Sequence, residues 1–190
     1  GAVSIKPKVW PCIAVSPIFL LIAFGIKLTS KGPVFFIQKR VGKKGRDFYI
    51  YKFRTMVQNA ENIGTGIYTE ENDPRITKIG RLLRKTSLDE LPQLINILKG
   101  DMSIIGPRPT LRYQVEQYDP YQMQRLNMRP GVTGLAQVNG RNSLPWPKRI
   151  EYDVEYVNHY SLWLDFKIIL KTVKVVLTAE GVYGKRDEMM

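Results

Sequence analysis

The chain has 190 residues, which is long enough for one domain with a hydrophobic core. Hydrophobic residues make up 44% and charged residues 24%, a composition that excludes an intrinsically disordered protein. Lysine and arginine outnumber aspartate and glutamate by 29 to 17, so the formal charge of +12 predicts an anionic partner: a phosphorylated substrate, a phospholipid surface or a nucleic acid.

The N-terminal part is predicted to contain a membrane helix. Residues 1–4 lack an initiator methionine and are expected to be a remnant of the cloning design, outside the fold. Residues 5–30 include an uncharged stretch from Val9 to Ile26, at the lower end of the roughly 17–25 residues that span a bilayer. Lysines flank this stretch on both sides, whereas a spanning helix usually carries its positive residues on one side.

Ser16 and Pro17 lie in the middle of this stretch. Proline removes a backbone N–H and kinks the helix, and a neighbouring serine hydroxyl can satisfy the freed backbone group. We therefore expect a re-entrant helix that enters and leaves the membrane by the cytoplasmic face, bent at Ser16-Pro17. A kinked single span is the main alternative. A cleavable signal peptide is disfavoured because no small-residue cleavage site follows.

Residues 31–190 are predicted to form one α+β domain that is mostly helical. Residues 34–41 and 47–54 are rich in aromatic and β-branched side chains, and the turn 42–45 between them predicts a β-hairpin. Helices are predicted from Asp73-Pro74, across 87–98, across 113–128, and near 147–160 and 162–180.

The last predicted helix is amphipathic. Its polar side carries Lys167, Lys171 and Lys174, and tryptophan beside lysines is typical of a helix at a membrane interface. A surface helix packed on the core is the alternative, and the pattern does not separate the two. The broad apolar face consists of Leu162, Trp163, Phe166, Ile169, Leu170, Val173, Val176 and Leu177.

Asp89 and Glu90 are adjacent at the start of a predicted helix, where acidic residues are often structural. Ser87 and Glu90 fit a capping box, and on the pattern alone this interpretation is favoured. Pro92 argues against it, because proline is awkward at the fifth position of a helix capped at Ser87. With Asp89 at the cap instead, cations of the preceding helix would create an anion site and keep this carboxylate ionised as a nucleophile. Glu90 would then suit Mg²⁺ shared with diphosphate oxygens.

Arg108 lies between two prolines, in Pro107-Arg108-Pro109. Prolines restrict the backbone, so the guanidinium could bind a phosphate with little loss of entropy. A purely structural turn explains the same pattern equally well. The single histidine, His159, is more readily explained as a surface or packing residue than as a catalytic base.

Several motifs occur together and in a fixed order. They are Lys52-Phe53-Arg54-Thr55-Met56, Glu71-Asn72-Asp73-Pro74-Arg75-Ile76-Thr77, Ser87-Leu88-Asp89-Glu90-Leu91-Pro92-Gln93, Gly106-Pro107-Arg108-Pro109, residues 129–141 (RPGVTGLAQVNGR) and Leu164-Asp165-Phe166-Lys167. With these motifs the chain resembles the monotopic polyprenyl-phosphate phosphoglycosyl transferases of the bacterial sugar transferase group, from about Lys6 to near Tyr183. It is particularly similar to members that initiate N-linked protein glycosylation.

The resemblance implies a reaction and roles for individual residues. Asp89 would attack the β-phosphate of a UDP-sugar, release UMP and carry the sugar phosphate until undecaprenyl phosphate accepts it. Glu90 would hold Mg²⁺. Phosphate groups would be bound by Arg84, Arg108 and Lys52, and the nucleotide-sugar pocket would be lined by Gln137 and Arg141. Ser16-Pro17 matches the bend of the family's re-entrant helix.

The resemblance also implies a location and a donor. It places the enzyme at the cytoplasmic face of the bacterial inner membrane, in contact with phospholipid. The expected sugar donor is UDP-N,N′-diacetylbacillosamine, and a UDP-N-acetylhexosamine or UDP-galactose is the alternative.

Two other classes of protein compete with this interpretation. The charge of +12 and ten tyrosines also suit a membrane-tethered nucleic-acid-binding protein, although the basic residues are scattered and no nucleic-acid module is recognisable. A catalytically silent scaffold of a glycan assembly complex is the other, and the intact Asp89-Glu90 pair argues against it.

Overall fold

The computed structural model describes residues 10–63, 69, 72–179 and 181–182, with side chains described from Ser16 onward. Residues 1–4, which we expect to be a cloning remnant, lie outside the described residues. The helices are α1 (Trp10–Thr29), α2 (Lys78–Lys85), α3 (Gln93–Lys99), α4 (Arg112–Val115), α5 (Pro120–Met123), α6 (Leu135–Val138), α7 (Trp146–Asn158) and α8 (Leu162–Thr178). The strands are β1 (Phe35–Val41), β2 (Asp47–Phe53), β3 (Ser103–Ile105) and β4 (Gly131–Thr133). Short 3₁₀ turns cover Lys43–Gly45, Ala60–Asn62, Leu88–Glu90, Gln124–Asn127 and Arg141–Ser143.

The predicted β-hairpin is confirmed. β1 and β2 pair antiparallel, from Phe35 opposite Phe53 to Val41 opposite Asp47. The turn between them contains Lys44 at φ 57° and Gly45 at φ 72°, a left-handed backbone that reverses the chain within a few residues. In the first half of β2, Phe48 and Ile50 are buried while Asp47 and Tyr49 are exposed, so one face of the hairpin packs on the rest of the domain.

α1 contains Pro17 and packs through its C-terminal half onto the domain. Ile22 and Ile26 form a core cluster with Phe53 of β2 and Leu83 of α2. The opposite side of α1 is apolar and exposed, with Leu20, Leu21, Phe24 and Leu28 each more than 60% accessible. Among the helices of the described ranges, none has the combination of length and apolar character that crossing a bilayer requires.

The helix expected to open at Asp73-Pro74 begins later, at Lys78. Thr77 is its N-cap, and its hydroxyl accepts a hydrogen bond from the Gly80 N–H at 3.0 Å. Asp73 instead forms a buried 2.6 Å ion pair with Arg75. The Arg75 guanidinium also donates to the Ala60 and Ile63 carbonyls. Asp73 and Arg75 therefore stabilise a loop, and the helix begins after Thr77.

Two other predicted helices are wrong as continuous elements. Residues 87–98 divide into the 3₁₀ turn Leu88–Glu90 and α3, with Pro92 at the α3 N-cap, where its missing N–H costs nothing. Residues 113–128 divide into α4, α5 and a 3₁₀ turn. The division occurs because Asp119 and Pro120 start a new helix: the Asp119 carboxylate accepts the Gln122 N–H at 2.8 Å.

A second core lies under a two-stranded parallel sheet that the sequence did not predict. β3 pairs with β4, and α6 packs between α7 and α8 through Leu135, Val138, Tyr156 and Ile168. The two C-terminal helices are confirmed within two residues at each end.

Seven of the eight apolar residues predicted on α8 are exposed, from Ile169 at 45% to Leu177 at 81%. The eighth, Val176, is half-buried and lines a cavity. α8 packs on the core through Ile168, as the alternative of a surface helix expects, whereas this apolar face is not packed on the described part of the domain.

Candidate active site

Asp89 and Glu90 occupy the 3₁₀ turn Leu88–Glu90 between α2 and α3. Ser87, which precedes the turn, has φ 57° and makes no side-chain cap. The capping box is therefore wrong, and so is the expectation that Asp89 caps a helix. Because neither carboxylate caps the backbone, both are available for other interactions.

Glu90 is the more tightly held of the two carboxylates. Its Oε1 atom accepts hydrogen bonds from Lys52 Nζ at 2.8 Å and from an Arg108 guanidinium nitrogen at 3.1 Å. The Glu90 side chain is only 13% exposed. Burial opposes its ionisation, but the two cations outweigh burial and hold the pKa of Glu90 well below its usual range.

Asp89 has a different environment. Within the described ranges, no residue donates a hydrogen bond to its carboxylate. Burial, reinforced by the negative charge of Glu90, raises the pKa of Asp89 to about 6, while Lys52, Arg84 and Arg108 act in the opposite direction. The adjacent carboxylates therefore differ: Glu90 is held by two cations and charged, whereas Asp89 has a raised pKa and no hydrogen-bond donor among the described residues.

The sequence predicted that cations of α2 converge on the carboxylate pair. Among them, Arg84 lowers the pKa of Asp89. Arg84 is half-buried, and its Nε donates to the Thr55 hydroxyl at 2.8 Å. Arg81 and Lys85 are exposed. The difference follows from helix geometry, since α2 buries the side that carries Gly80 and Leu83.

The turn that carries Arg108 is held from two sides by arginines. Arg125 donates to the Arg108 carbonyl at 3.0 Å, and Arg40 donates to the Pro109 carbonyl at 3.4 Å. Arg125 is itself buried in an ion pair with Asp153. Sequence analysis missed Arg40 and Arg125, because buried arginines that act through backbone carbonyls belong to no local motif.

A cavity of about 170 Å³ lies beside Glu90. Four of the predicted site residues line it, and Asp89, Lys52 and Arg84 are not part of its lining. The complete lining is Ser87, Glu90, Leu91, Leu94, Arg108, Val132, Thr133, Gln137, Val138, Arg141, Thr172, Val175 and Val176.

Two polar groups in this cavity lack partners in the described structure. One guanidinium nitrogen of Arg141 donates to the Ser87 hydroxyl at 3.0 Å, whereas the other is buried and unpaired. Both amide atoms of Gln137 are also buried and unpaired. Unpaired buried polar atoms are costly and are rare in native proteins, so these side chains at the cavity wall would gain from a polar ligand once the wall shifts to expose them.

The remaining predictions concern a metal site and the histidine. No group of three or more His, Cys, Asp or Glu side chains comes together in the part of the chain that is described. His159 is exposed at the end of α7, where Nδ1 lies 3.1 Å from the Glu155 carbonyl, which confirms its surface position.

A carboxylate with no hydrogen-bond donor among the described residues, in the field of Lys52, Arg84 and Arg108 and beside a cavity, is suited to chemistry on phosphate esters. The chain belongs to the bacterial sugar transferase family, whose model matches residues 5–179. This confirms the family that the motifs indicated.

Three relatives illustrate the family. The chain is 48% identical over 172 residues to the UDP-N-acetylgalactosamine-undecaprenyl-phosphate N-acetylgalactosaminephosphotransferase of Aeromonas hydrophila, covering 87% of this chain and 40% of that protein. It is 46% identical to the uncharacterized sugar transferase EpsL of Bacillus subtilis, covering 90% and 82%. It is 44% identical to the UDP-glucose:undecaprenyl-phosphate glucose-1-phosphate transferase of Xanthomonas campestris pv. campestris, covering 96% and 40%. The chain thus spans about two fifths of the length of two of these relatives.

Proposed function

We propose that this protein is a phosphoglycosyl transferase that moves a sugar phosphate from a UDP-sugar to undecaprenyl phosphate and releases UMP. The observation that carries this proposal is the Asp89 carboxylate, which has no hydrogen-bond donor in the described structure and lies in the field of Lys52, Arg84 and Arg108. The names of the Aeromonas and Xanthomonas relatives describe this class of reaction.

The reaction has two balanced steps. An Asp89 oxygen forms a bond to the β-phosphorus, and the bond from that phosphorus to the bridging oxygen breaks, so UMP leaves with the electron pair. An oxygen of undecaprenyl phosphate then attacks the same phosphorus, and the Asp89 carboxylate leaves. The surrounding cations stabilise charge that develops on the phosphate oxygens, and neither step needs a histidine base.

A Mg²⁺ ion shared with the donor diphosphate is part of this proposal. Protein sites for Mg²⁺ commonly supply one or two carboxylates, with water and substrate phosphates completing the coordination. Glu90 fits this role because its second oxygen, Oε2, has no partner among the described residues, while Oε1 is anchored by Lys52 and Arg108. The ion would neutralise charge on the phosphates during transfer.

The identity of the sugar belongs to the proposal as well. The resemblance to N-glycosylation enzymes favours UDP-N,N′-diacetylbacillosamine, whereas the two named relatives act on N-acetylgalactosamine and glucose donors. All of these donors share the diphosphate and uridine that the cations and the cavity would bind. A panel containing each of them is therefore the first measurement.

We also propose that the protein works at a phospholipid surface. Two unpacked apolar surfaces support this: the face of α1 that carries Leu20 and Phe24, and the face of α8 that carries Trp163 and Leu170. Trp163 stacks on Phe166, and the Lys167 ammonium lies 5.3 Å from the Trp163 ring centre, which is the composition of an interfacial helix. The re-entrant bend at Ser16-Pro17 remains part of this proposal. Such a bend would keep the active site on the same side of the membrane as the phosphate of the lipid acceptor.

The test is UMP release from the panel of UDP-sugars, with undecaprenyl phosphate and Mg²⁺ in detergent. Wild type is expected to release UMP from at least one donor, and Asp89→Asn is expected to release none, because an amide cannot form the acyl phosphate bond. Asp101→Asn is the matched control, since Asp101 lies outside the site in the turn after α3. Mass spectrometry of wild type without lipid should detect the sugar phosphate on Asp89.

Three results would contradict the proposal. UMP release by Asp89→Asn at the wild-type rate would disprove the covalent mechanism. Folded wild type that releases no UMP from any donor would support a silent scaffold. Salt-sensitive binding of DNA or RNA at physiological ionic strength by such an inactive protein would instead support the nucleic-acid alternative.

A further inference from the structure

We propose that the cavity beside Glu90 is the binding site of the donor's uracil ring, and that the Gln137 carboxamide pairs with the imide edge of that ring. This assignment rests on the proposed function, because it takes a UDP-sugar as the ligand. It goes further by naming which part of the donor enters the cavity and which side chain selects it.

Gln137 is the first reason. It is 7% exposed, and within the described ranges neither Nε2 nor Oε1 has a hydrogen-bond partner. A buried amide without partners costs free energy in the unliganded protein. A ligand that offers one donor and one acceptor side by side would satisfy both atoms at once, and reaching them requires a shift of the cavity wall because neither atom is accessible in this structure.

The backbone around Gln137 keeps the amide in this position. All four residues of α6 are buried, so the side chain cannot turn out to solvent. Gly134, which precedes α6, lies against Oε1: a Cβ there would be 2.9 Å from Gln137 Oε1 and 2.2 Å from the Gly106 carbonyl oxygen. The absence of a side chain at Gly134 therefore leaves room for the carboxamide.

The cavity lining contains both charged and apolar side chains. Glu90, Arg108 and Arg141 provide the charged groups, and one buried nitrogen of Arg141 has no partner among the residues that the structure describes. The hydroxyls of Thr133 and Thr172 are 2.8 Å apart and bond each other. The remaining walls are branched aliphatic side chains, namely Leu91, Leu94, Val132, Val138, Val175 and Val176.

These walls fit a nucleobase better than a hexose. A hexose presents a hydroxyl on most of its carbons and would need several protein donors and acceptors, whereas uracil has two apolar faces and one polar edge. The volume of about 170 Å³ is below the roughly 300 Å³ at which pockets for larger ligands begin, so one ring fits and the whole donor does not. With uracil beside Gln137, the phosphates would extend toward Arg141, Arg108 and Glu90.

Binding of UMP and two analogues to Gln137 variants tests this assignment by calorimetry on the full chain in detergent. Gln137→Leu keeps the volume and removes both hydrogen-bonding atoms, and it should weaken UMP binding by about 10- to 100-fold. Gln117→Leu, at an exposed position after α4, is the matched control and should bind UMP like wild type.

N3-methyl-UMP makes the test specific to the imide edge. The methyl group removes the N3–H donor, so wild type should bind it at least about 10-fold more weakly than UMP. Gln137→Ala has space for the methyl group and no amide to leave unpaired, so the two ligands should bind it within about threefold of each other. A methylation penalty that is the same in wild type and Gln137→Ala would show that Gln137 does not contact this edge.

The Gln137 amide could instead contact the N-acetyl group of the sugar. UDP-N-acetylgalactosamine has this group and UDP-glucose lacks it, so comparing the two donors distinguishes this contact from a contact with uracil. If Gln137 contacts uracil, Gln137→Leu weakens both donors equally. If Gln137→Leu weakens binding of the N-acetylated donor only and leaves UMP binding unchanged, Gln137 contacts the sugar and the uracil assignment is wrong. If wild type binds neither UMP nor the donors, the proposed function itself fails.

Val176→Phe provides a second variant if the Gln137 variants do not fold. This half-buried residue reaches the cavity from α8, and phenylalanine there would fill part of the space. We expect UMP binding to fall about 10-fold or more while inorganic pyrophosphate binding changes less than threefold. Unchanged UMP binding by a folded Val176→Phe protein would overturn the assignment.

Discussion

Lys52 and Glu90 are 38 residues apart in the chain and form a 2.8 Å ion pair that joins strand β2 to the turn between α2 and α3. The hairpin is a rigid element, so this ion pair fixes one carboxylate of the site relative to the core. Arg108 binds the same oxygen of Glu90 from a second direction. Glu90 is thereby held as an anion, and its charge acts on the neighbouring Asp89.

The first prediction concerns the pH dependence of UMP release. Because the pKa of Asp89 is raised to about 6, the nucleophile becomes protonated as the pH falls below that value, and the rate should decrease about tenfold per pH unit. The reaction should be measured as a single turnover without lipid, since a phosphate monoester also titrates near pH 6.

Glu90→Gln tests whether the negative charge of Glu90 sets the pH below which the rate of UMP release falls. We call this falling part of the pH profile the acid limb. Removing the negative charge should lower the pKa of Asp89, so the limb should move to lower pH even though the absolute rate decreases. A limb that stays in place or moves upward in Glu90→Gln would show that another group controls it.

Lys52→Met should reduce both activity and stability. The ammonium helps to neutralise phosphate charge, and removing such a group typically costs about 100-fold in rate. Glu90 would retain Arg108 as its partner, so we expect a fall of about 1–3 kcal/mol in the free energy of unfolding. The rate of UMP release and chemical denaturation measure the two effects.

Lys99→Met is the control for Lys52→Met. Lys99 is exposed and its ammonium bonds the Tyr51 hydroxyl at 2.9 Å, away from the carboxylate pair. It should keep activity within about twofold and stability within about 0.5 kcal/mol of wild type. Equal losses in both variants would mean that the effect of Lys52 is a general effect of surface charge.

Gly80→Ala should destabilise the fold although alanine favours helices. A Cβ at Gly80 would lie 1.9 Å from the Thr55 carbonyl oxygen, so α2 would have to move away from the segment after β2. The expected loss is about 3 kcal/mol or more, against a gain of about 1 kcal/mol from helix propensity. Thermal denaturation measures it, with Arg81→Ala, at an exposed position of the same helix, as the control. Equal stability of the two variants would contradict this packing.

The exposed face of α8 should bind lipid. Leu170→Gln combined with Leu177→Gln should weaken co-sedimentation with phosphatidylglycerol-containing vesicles by about 10-fold or more, because each leucine loses burial worth roughly 1.5–3 kcal/mol. Ile37→Gln, an exposed apolar position on β1, should leave vesicle binding unchanged. If all three changes are equally silent, α8 does not contact the bilayer.

Local patterns determined much of the fold. The β-hairpin was predictable because its strands are rich in aromatic and β-branched residues and a glycine-containing turn separates them. α7 and α8 were predictable from apolar residues at helical spacing. The helices around 73–98 were not, since Thr77 and Pro92 compete with equally plausible caps nearby, and the buried Asp73–Arg75 pair decided which one the chain uses.

Some features of the candidate site were likewise predictable from the sequence, and others were not. The sequence by itself determined the Asp89-Glu90 pair, the Pro107-Arg108-Pro109 turn and the family, because these are short contiguous motifs whose chemistry can be read from residue type. Only the tertiary structure decided that Lys52 fixes Glu90 and that Gln137 is buried. It also showed that, among the described residues, neither the Asp89 carboxylate nor the Gln137 amide has a hydrogen-bond partner. Those properties depend on which residues meet across distant segments, and such contacts arise from the packing of the whole domain rather than from local sequence.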